Sequence, residues 1–296
     1  MPDPGNGTTG RAAWSVSDGL ATLDEPAVLL SRSLDAVFTG WGLAGGAVRR
    51  SYPPLLDVGA LRSLDYFRNF PHLGGAVTRL REDRLGHHAQ AGGAGPLPAA
   101  DLADAALLLP SAACYACFLD LSGVRLTEPL TITTAATCFR NEDHYDGLRR
   151  LRGFTMREIV CVGSTEDVHA HVERYHGLIA GFGAALGLSL DRAPATDPFF
   201  EKDGARSLMQ RLSPVKEEYL HRDGTALASA NHHRNFFGER RGLTYRGSPA
   251  FTGCVAFGLE RWLHALDDRF EGDLRAADRA VRQAADEAVR RAEAPG

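Results

Sequence analysis

Arg140, Glu142, Arg149, Arg150, Arg152, Arg157 and Glu158 stand within one stretch, Thr137 to Gly163, between two apolar, strand-like ends. Guanidinium groups stay protonated and present forked donors matched to phosphate oxygens. A hairpin loaded in this way can cradle an anion, and taken alone it reads equally well as a solvated loop of surface charge. Cys114 and Cys117 form a C-x-x-C in ACYACF, a spacing used by redox and zinc-binding proteins. The second close pair of a structural zinc site and the βαβ context of a thioredoxin-like motif are both missing. His232 and His233 carry the acid–base range of imidazole, and a surface or supporting role is favoured for them over proton transfer.

The elements that must position these groups follow from local pattern. LTITTAATCFRNE and RGFTMREIVCVG are β-rich runs separated by a polar, Gly-containing loop, a long hairpin that carries the charge cluster. From Thr165, expected as N-cap, a helix places Val168, Val172, Tyr175 and Ile179 on one side, with acidic residues in its first turn. Further strands are expected within RSLMQRLSPVKEEYLHR, at TALASANHH and at GCVAFG, the last leading into the helix LERWLHALDDRF. Leu20 to Phe38 reads as helix despite Pro26, DVGALRSLDYF as a helix with Val58, Leu61, Leu64 and Phe67 on one face, and an Ala/Leu helix is expected to end at Pro110. The opening MPDPGNGTTG is expected to be disordered, and the Ala-rich C-terminal helix to pack lightly or fray. The expected organisation is a disordered segment over 1–19, an α+β catalytic domain over 20–270 built on an antiparallel sheet flanked by helices, and a helical tail over 271–296.

Composition narrows the function class. At 296 residues and 44% hydrophobic content the chain can fill a sizeable core. A net charge of -4 gives no global attraction for nucleic acid, so tRNA and DNA are disfavoured as partners. No apolar run reaches the length of a membrane span and no signal pattern opens the chain, so a cytoplasmic protein is expected. Five cysteines, an odd number in a chain of this size, argue for reduced thiols or metal ligands instead of a disulfide framework.

The charged hairpin resembles motif two of the class II aminoacyl-tRNA synthetases, with Arg140 and Glu142 on the outgoing strand and Arg150 four positions before Phe154 on the return. GCVAFGLERW resembles motif three, with Arg261 as its arginine, and YPPLL stands where motif one carries its dimer-forming proline. This resemblance implies a homodimer that joins a carboxylate to ATP, a reaction that brings anions together and loads charge on the phosphates. It implies that Arg140 holds the α-phosphate and the reacting carboxylate, that Glu142 reads the adenine end, that Arg150 and Arg261 clamp the outer phosphate, and that Phe154 stacks on adenine.

Within that class, LLLPSAACYACF, FTMREIVCVG, DPFFEKDG, ASANHHRNFFGE and TGCVAFGLERW are similar to the zinc-dependent seryl-type synthetases and their truncated relatives, the amino acid:[carrier protein] ligases. The likeness runs from Val48 to Leu266. It implies a Zn²⁺ held by Cys114, Glu158 and Cys254 with one position left for the substrate amine. Mg²⁺ would accompany ATP. Thr225 and Ala228 stand near the positions where the synthetases carry a magnesium-binding glutamate and serine, a departure that leaves the magnesium ligands open with Glu218 as one candidate; Asn231 matches the family, and the resemblance implies a substrate-positioning role for it.

Nothing before Val48 sustains the heptads of a tRNA-binding coiled-coil arm. The acceptor implied is therefore the phosphopantetheine thiol of an acyl or peptidyl carrier protein, not tRNA. The activated substrate would be a small amino acid, glycine or alanine. A reduced seryl-type tRNA synthetase and a catalytically silent regulatory paralogue are the rival readings.

Overall fold

The computed structural model of the protein describes residues 13–90, 95–201 and 215–293. Its first elements depart from expectation. β1 (Trp14–Ser17) and β2 (Leu20–Leu23) pair antiparallel across a turn at Asp18 and Gly19, both at positive φ. Asp-Gly is a strong two-residue hairpin signal, and it outweighs the helix-like apolar spacing that begins at Leu20. The stretch expected to be disordered through residue 19 thus contributes a strand, while residues 1–12 lie outside the described part. Helix α1 (Glu25–Ala44) starts later than expected and holds Pro26 in its first turn, where a missing N–H costs nothing.

After β3 (Val48–Arg49), short helices and a small three-stranded sheet lead towards the site. The Ala/Leu helix expected before Pro110 is a 3₁₀ turn at Ala99–Asp101 and a strand at Leu107–Leu108. Leu108 pairs with Leu56 on one side and Ala76 on the other and is buried, so tertiary pairing overrides local propensity. Helix α2 (Cys114–Asp120) follows, then the charged hairpin as β4 (Leu130–Phe139) and β5 (Gly153–Gly163), paired over their full length. α3 (Thr165–Ala185) is capped one residue earlier than expected. The Ser164 hydroxyl accepts from Asp167 N–H, and the Asp167 carboxylate accepts from Ser164 N–H at 2.8 Å.

The remaining strands are β6 (Asp191–Pro194), β7 (Lys216–Leu220), β8 (Ala226–Arg234) and β9 (Phe251–Gly258), with α4 (Phe236–Arg241) between the last two. Residues 202–214, which include the start of one expected strand, lie outside the described part. Among the described residues the main sheet has nine strands, ordered β1-β2-β5-β9-β8-β7-β6, with β3 and β4 joining at β5. It is antiparallel except where β2 meets β5 and β3 meets β4, so the sheet is mixed and the fold is α+β.

One face of this sheet is covered by α1, α3, α5 (Leu259–Arg269) and α6 (Leu274–Glu293). Phe38 stacks on Phe257 at 4.1 Å between ring centroids, and Trp41, Phe182 and Trp262 close around them. The C-terminal helix is part of this core. Leu274, Ala277, Val281 and Ala284 are buried in it, so the expected loose tail is instead a packed layer. The charged residues between them hide how complete the apolar stripe is, since its spacing is helical while its composition is polar. No helix of the described residues is long and apolar enough to cross a membrane.

Candidate active site

The other face of the sheet carries the chemistry, because side chains alternate along each strand. On β5, Arg157 points to the helix layer, where its guanidinium pairs with both oxygens of Asp35 at 2.7 and 2.8 Å. Glu158, one residue on, points the opposite way. Register then lays out two rows across neighbouring strands: Glu158, Ala256, Ser229 and Glu218 in one, Val160, Cys254, Asn231 and Lys216 in the other. Residues far apart in sequence become neighbours through pairing alone.

Cys114, Glu158 and Cys254 meet in this grid, with one donor atom from each lying within 4.8 Å of the others and all three residues buried. Cys114 arrives at the first residue of α2, and the preceding Ala113 N–H donates to Glu158 Oε1 at 2.8 Å. Among the described residues Glu158 Oε2 is buried with no nitrogen or oxygen hydrogen-bond partner. The Cys114 thiol is pushed well above its ordinary range by its hydrogen bond with Cys254, by burial and by the Glu158 charge. At Cys254 the bond to Cys114 acts downward, but burial and Glu158 carry the thiol up. Two thiols and a carboxylate with an orphaned oxygen form a site short of positive charge. Mixed sulfur and oxygen donors in this number suit a borderline-soft divalent ion such as zinc, not magnesium or calcium.

Asn231 Nδ2 and His233 Nε2 each lie 3.6 Å from Cys254 Sγ. His233 is held by Thr252 at 3.2 Å and packed against Phe118 and Phe237, and burial pulls its imidazole down to about 4. It is therefore neutral at physiological pH. His232, its neighbour, packs its ring against His169 and also contributes to the lining of the cleft. The cluster opens into a cleft of about 480 Å³ whose lining includes Ser111, Tyr115, Asp197, Phe199 and Lys216. Lys216 escaped the sequence reading. Its ammonium lies 3.0 Å from Glu218 and 3.4 Å from Asp197, and only its place opposite Asn231 in the register reveals that it faces the site.

A second, smaller cavity is lined by Arg140, Glu142, Arg149, Arg150, Phe154, Glu218, Ser229 and Arg261. Arg140 lines both spaces. Its Nε donates to the Ser111 carbonyl at 3.1 Å, and its guanidinium lies over the Phe154 ring at 5.1 Å. Arg150 pairs with Glu142 at 2.9 Å in the loop. Arg261 is the deepest cation. Among the described residues its hydrogen-bond partners are the carbonyls of Arg149 and Ala226, each at 3.0 Å, and burial lowers its pKa. The neighbouring Glu260 serves the fold, accepting the Thr155 N–H with both oxygens at 2.9 and 2.8 Å. The residues to which the family resemblance gives a metal, nucleotide or substrate role all line one of the two cavities. Arg152 and Arg157 do not, being tied to the β1–β2 turn and to Asp35.

The cluster and the group of arginines thus lie side by side on one face of a mixed sheet. The family described as tRNA synthetase class II core domain (G, H, P, S and T) matches residues 104–270. Amino acid–[acyl-carrier-protein] ligase 1 of Bradyrhizobium diazoefficiens is 34% identical over 263 residues, 84% of this chain and 79% of that protein. Ligase 2 of the same organism is 34% identical over 229 residues, 73% and 67% of the two chains. The chain belongs to the class II tRNA synthetase core family, in the branch of the amino acid–[acyl-carrier-protein] ligases.

Two solved structures are similar in fold. M. kandleri SerRS, in complex with A. aeolicus tRNASec, superposes with a TM-score of 0.75 at 17% identity over 92% of this chain. The cytoplasmic serine-tRNA ligase of Naegleria fowleri in complex with AMP gives 0.63 at 13% over 85%. The chain spans a little over half of each, 57% and 56%.

Proposed function

We propose that the protein activates a small amino acid with ATP and transfers it to the phosphopantetheine thiol of a carrier protein. The observation that carries this reading is Arg140, which lines both the cleft holding the Cys114–Glu158–Cys254 cluster and the cavity lined by Arg150 and Arg261. A substrate held across that boundary has its carboxylate next to the α-phosphate. The two relatives named as amino acid–[acyl-carrier-protein] ligases support the choice of acceptor.

In the first step a carboxylate oxygen attacks the α-phosphorus, the bond to the bridging oxygen breaks, and pyrophosphate leaves towards Arg150 and Arg261. Arg140 neutralises charge on the pentavalent phosphorus and the reacting carboxylate. In the second step the carrier thiol gives its proton to a phosphate oxygen of the adenylate, its sulfur attacks the carbonyl carbon, and the bond from that carbon to the phosphate oxygen breaks, so AMP departs as the aminoacyl thioester forms. Phe154 and Glu142 are assigned to the adenine end. Zn²⁺ held by Cys114, Glu158 and Cys254 would supply a Lewis-acid position that keeps the substrate amine unprotonated. Mg²⁺ would travel with ATP, and Glu218 with its cross-strand neighbour Ser229 are the oxygen donors assigned to it. Asn231 and His233 crowd the approach to Cys254, which supports a short substrate side chain such as that of glycine or alanine. We further propose a cytoplasmic homodimer that does not charge tRNA.

The test is ATP–pyrophosphate exchange over the twenty amino acids with zinc supplied, followed by transfer of the labelled substrate to holo-carrier protein or to tRNA. Exchange with a small amino acid and labelling of the carrier are expected. Absence of exchange with every amino acid would leave a silent regulatory paralogue as the better reading, and labelling of tRNA alone would leave a reduced tRNA synthetase.

A further inference from the structure

Arg261 owes its position to a ring of contacts that begins outside the cavity. The turn between β7 and β8 carries Asp223, whose Oδ1 accepts the Thr225 N–H at 2.9 Å and whose Oδ2 accepts from His264 Nε2 at 2.8 Å. The same Oδ2 faces the Arg149 guanidinium at 3.5 Å. His264 stands on α5 three residues after Arg261, so both project from the same side of that helix. Arg149 sits in the charged loop and offers its carbonyl to Arg261 Nε, while Ala226, three residues after Asp223, offers its carbonyl to Arg261 Nη1. Loop, turn and helix are each joined to the other two.

We propose that Asp223, together with His264, is a positioning residue for nucleotide binding: it locks the charged loop and the β7–β8 turn onto α5 so that two carbonyls aim the Arg261 guanidinium into the arginine cradle. Burial works against the Asp223 charge, yet the hydrogen bonds from His264 and Thr225 overcome it and hold the carboxyl well below its ordinary range. It is an ionised anchor, set between one cation from the loop and a ring N–H from the helix. Among the described residues the Arg261 guanidinium hydrogen-bonds carbonyls and no carboxylate, which leaves more of its donor capacity for an anionic ligand than a direct ion pair would, although Glu218 and Glu142 lie near enough to act on its charge.

A second link ties the same turn to α5 further from the cavity: His221 Nε2 meets Asp268 Oδ2 at 2.9 Å and Arg222 meets Oδ1 at 2.6 Å. This provides an internal control, since it joins the same two elements without touching Arg149 or Arg261.

The proposal rests on the reading of the second cavity as the ATP site. In the exchange assay, Asp223→Ala and His264→Ala are expected to raise KM for ATP about tenfold while KM for the amino acid stays within about twofold. His264→Gln, which keeps an N–H donor, restores most of the loss. Asp268→Asn lowers the melting temperature without moving KM for ATP. Unchanged KM for ATP in both alanine variants, or an equal rise for both substrates, overturns the proposal. Should the parent protein catalyse no exchange, calorimetric titration with Mg-ATP reads the ring directly. Binding weakened about tenfold by His264→Ala and recovered by His264→Gln sustains the positioning role without the activity, and binding unaffected by either alanine variant overturns it.

Discussion

Around Cys114, Glu158 and Cys254 the donors are fully buried and rise from strands and the start of a helix, with negative character left uncompensated at Glu158 Oε2. Around Arg140, Arg150 and Arg261 the groups are cations. Arg150 in its loop is 40% exposed and already paired with Glu142, while Arg261 lies deep and, among the described residues, hydrogen-bonds the carbonyls of Arg149 and Ala226. One half of the site thus gathers buried donors on strands and a helix start, and the other gathers cations on a loop and a helix; under the proposed function they are a metal pocket and a phosphate cradle. The difference follows from solvation. A buried metal pocket must be preformed because stray water or misplaced donors would compete with the ion, whereas a phosphate site can keep exposed cations in temporary ion pairs that cost little to break.

The sharpest break of this contrast is Cys254→Ser. It should abolish bound metal, read as zinc per chain by elemental analysis, and lower exchange on the order of a thousandfold, since a Lewis acid contributes several kcal/mol. Retained stoichiometric metal together with retained activity would remove the cluster from the mechanism. Arg140→Ala comes next, with a loss of roughly a hundredfold to a thousandfold in kcat and unchanged metal content. If metal content fell as well, the two halves would not be separable in the way described.

Arg157→Met tests the alternation of β5 one residue from Glu158. It removes the pair with Asp35, where the arginine side chain is 11% exposed and the aspartate 33%, and should cost about 1–3 kcal/mol of unfolding free energy. Metal binding and kcat of the folded fraction should remain, as denaturant melts and assays would show. A lost metal site would mean that the two faces of the sheet are coupled.

The smallest effect is a pH dependence. Burial pulls His171 down to about 4 from an ordinary 6.5, with its ring nitrogen bonded to the Ile159 carbonyl at 3.1 Å. A depressed histidine contributes stability that is present above 6.5 and is lost as pH falls towards 4, because the unfolded chain takes up the proton first. The melting temperature should decline by a few degrees over that window, and His171→Gln should make the decline shallower without removing it, because His233 is depressed to about 4 as well.

Motif-bearing residues were legible because their chemistry is local. Arg140, Glu142, Arg150 and Phe154 sit on one hairpin whose β-rich ends and polar loop announce it, and Glu260-Arg261 opens a helix straight after a strand. Lys216, Ser229 and His233 were not read as parts of the site, because cross-strand register places them there and register is a long-range property. The N-terminal hairpin was misread for a different reason. Its Asp18-Gly19 turn is an ordinary local signal that the apolar spacing around it obscured.

Sequence alone determined which candidate ligands and cations the chain carries, along with the alternation and periodicity that build the long hairpin and the amphipathic helices, since these depend on neighbours within a few residues. Only the tertiary structure decided that Cys114 and Cys254 stand with Glu158 at one point, that Arg157 serves the fold while Glu158 serves the site, and that the C-terminal helix belongs to the core. Those outcomes depend on how strands pair and which apolar stripes find one another. Both are settled by burying surface across the whole chain.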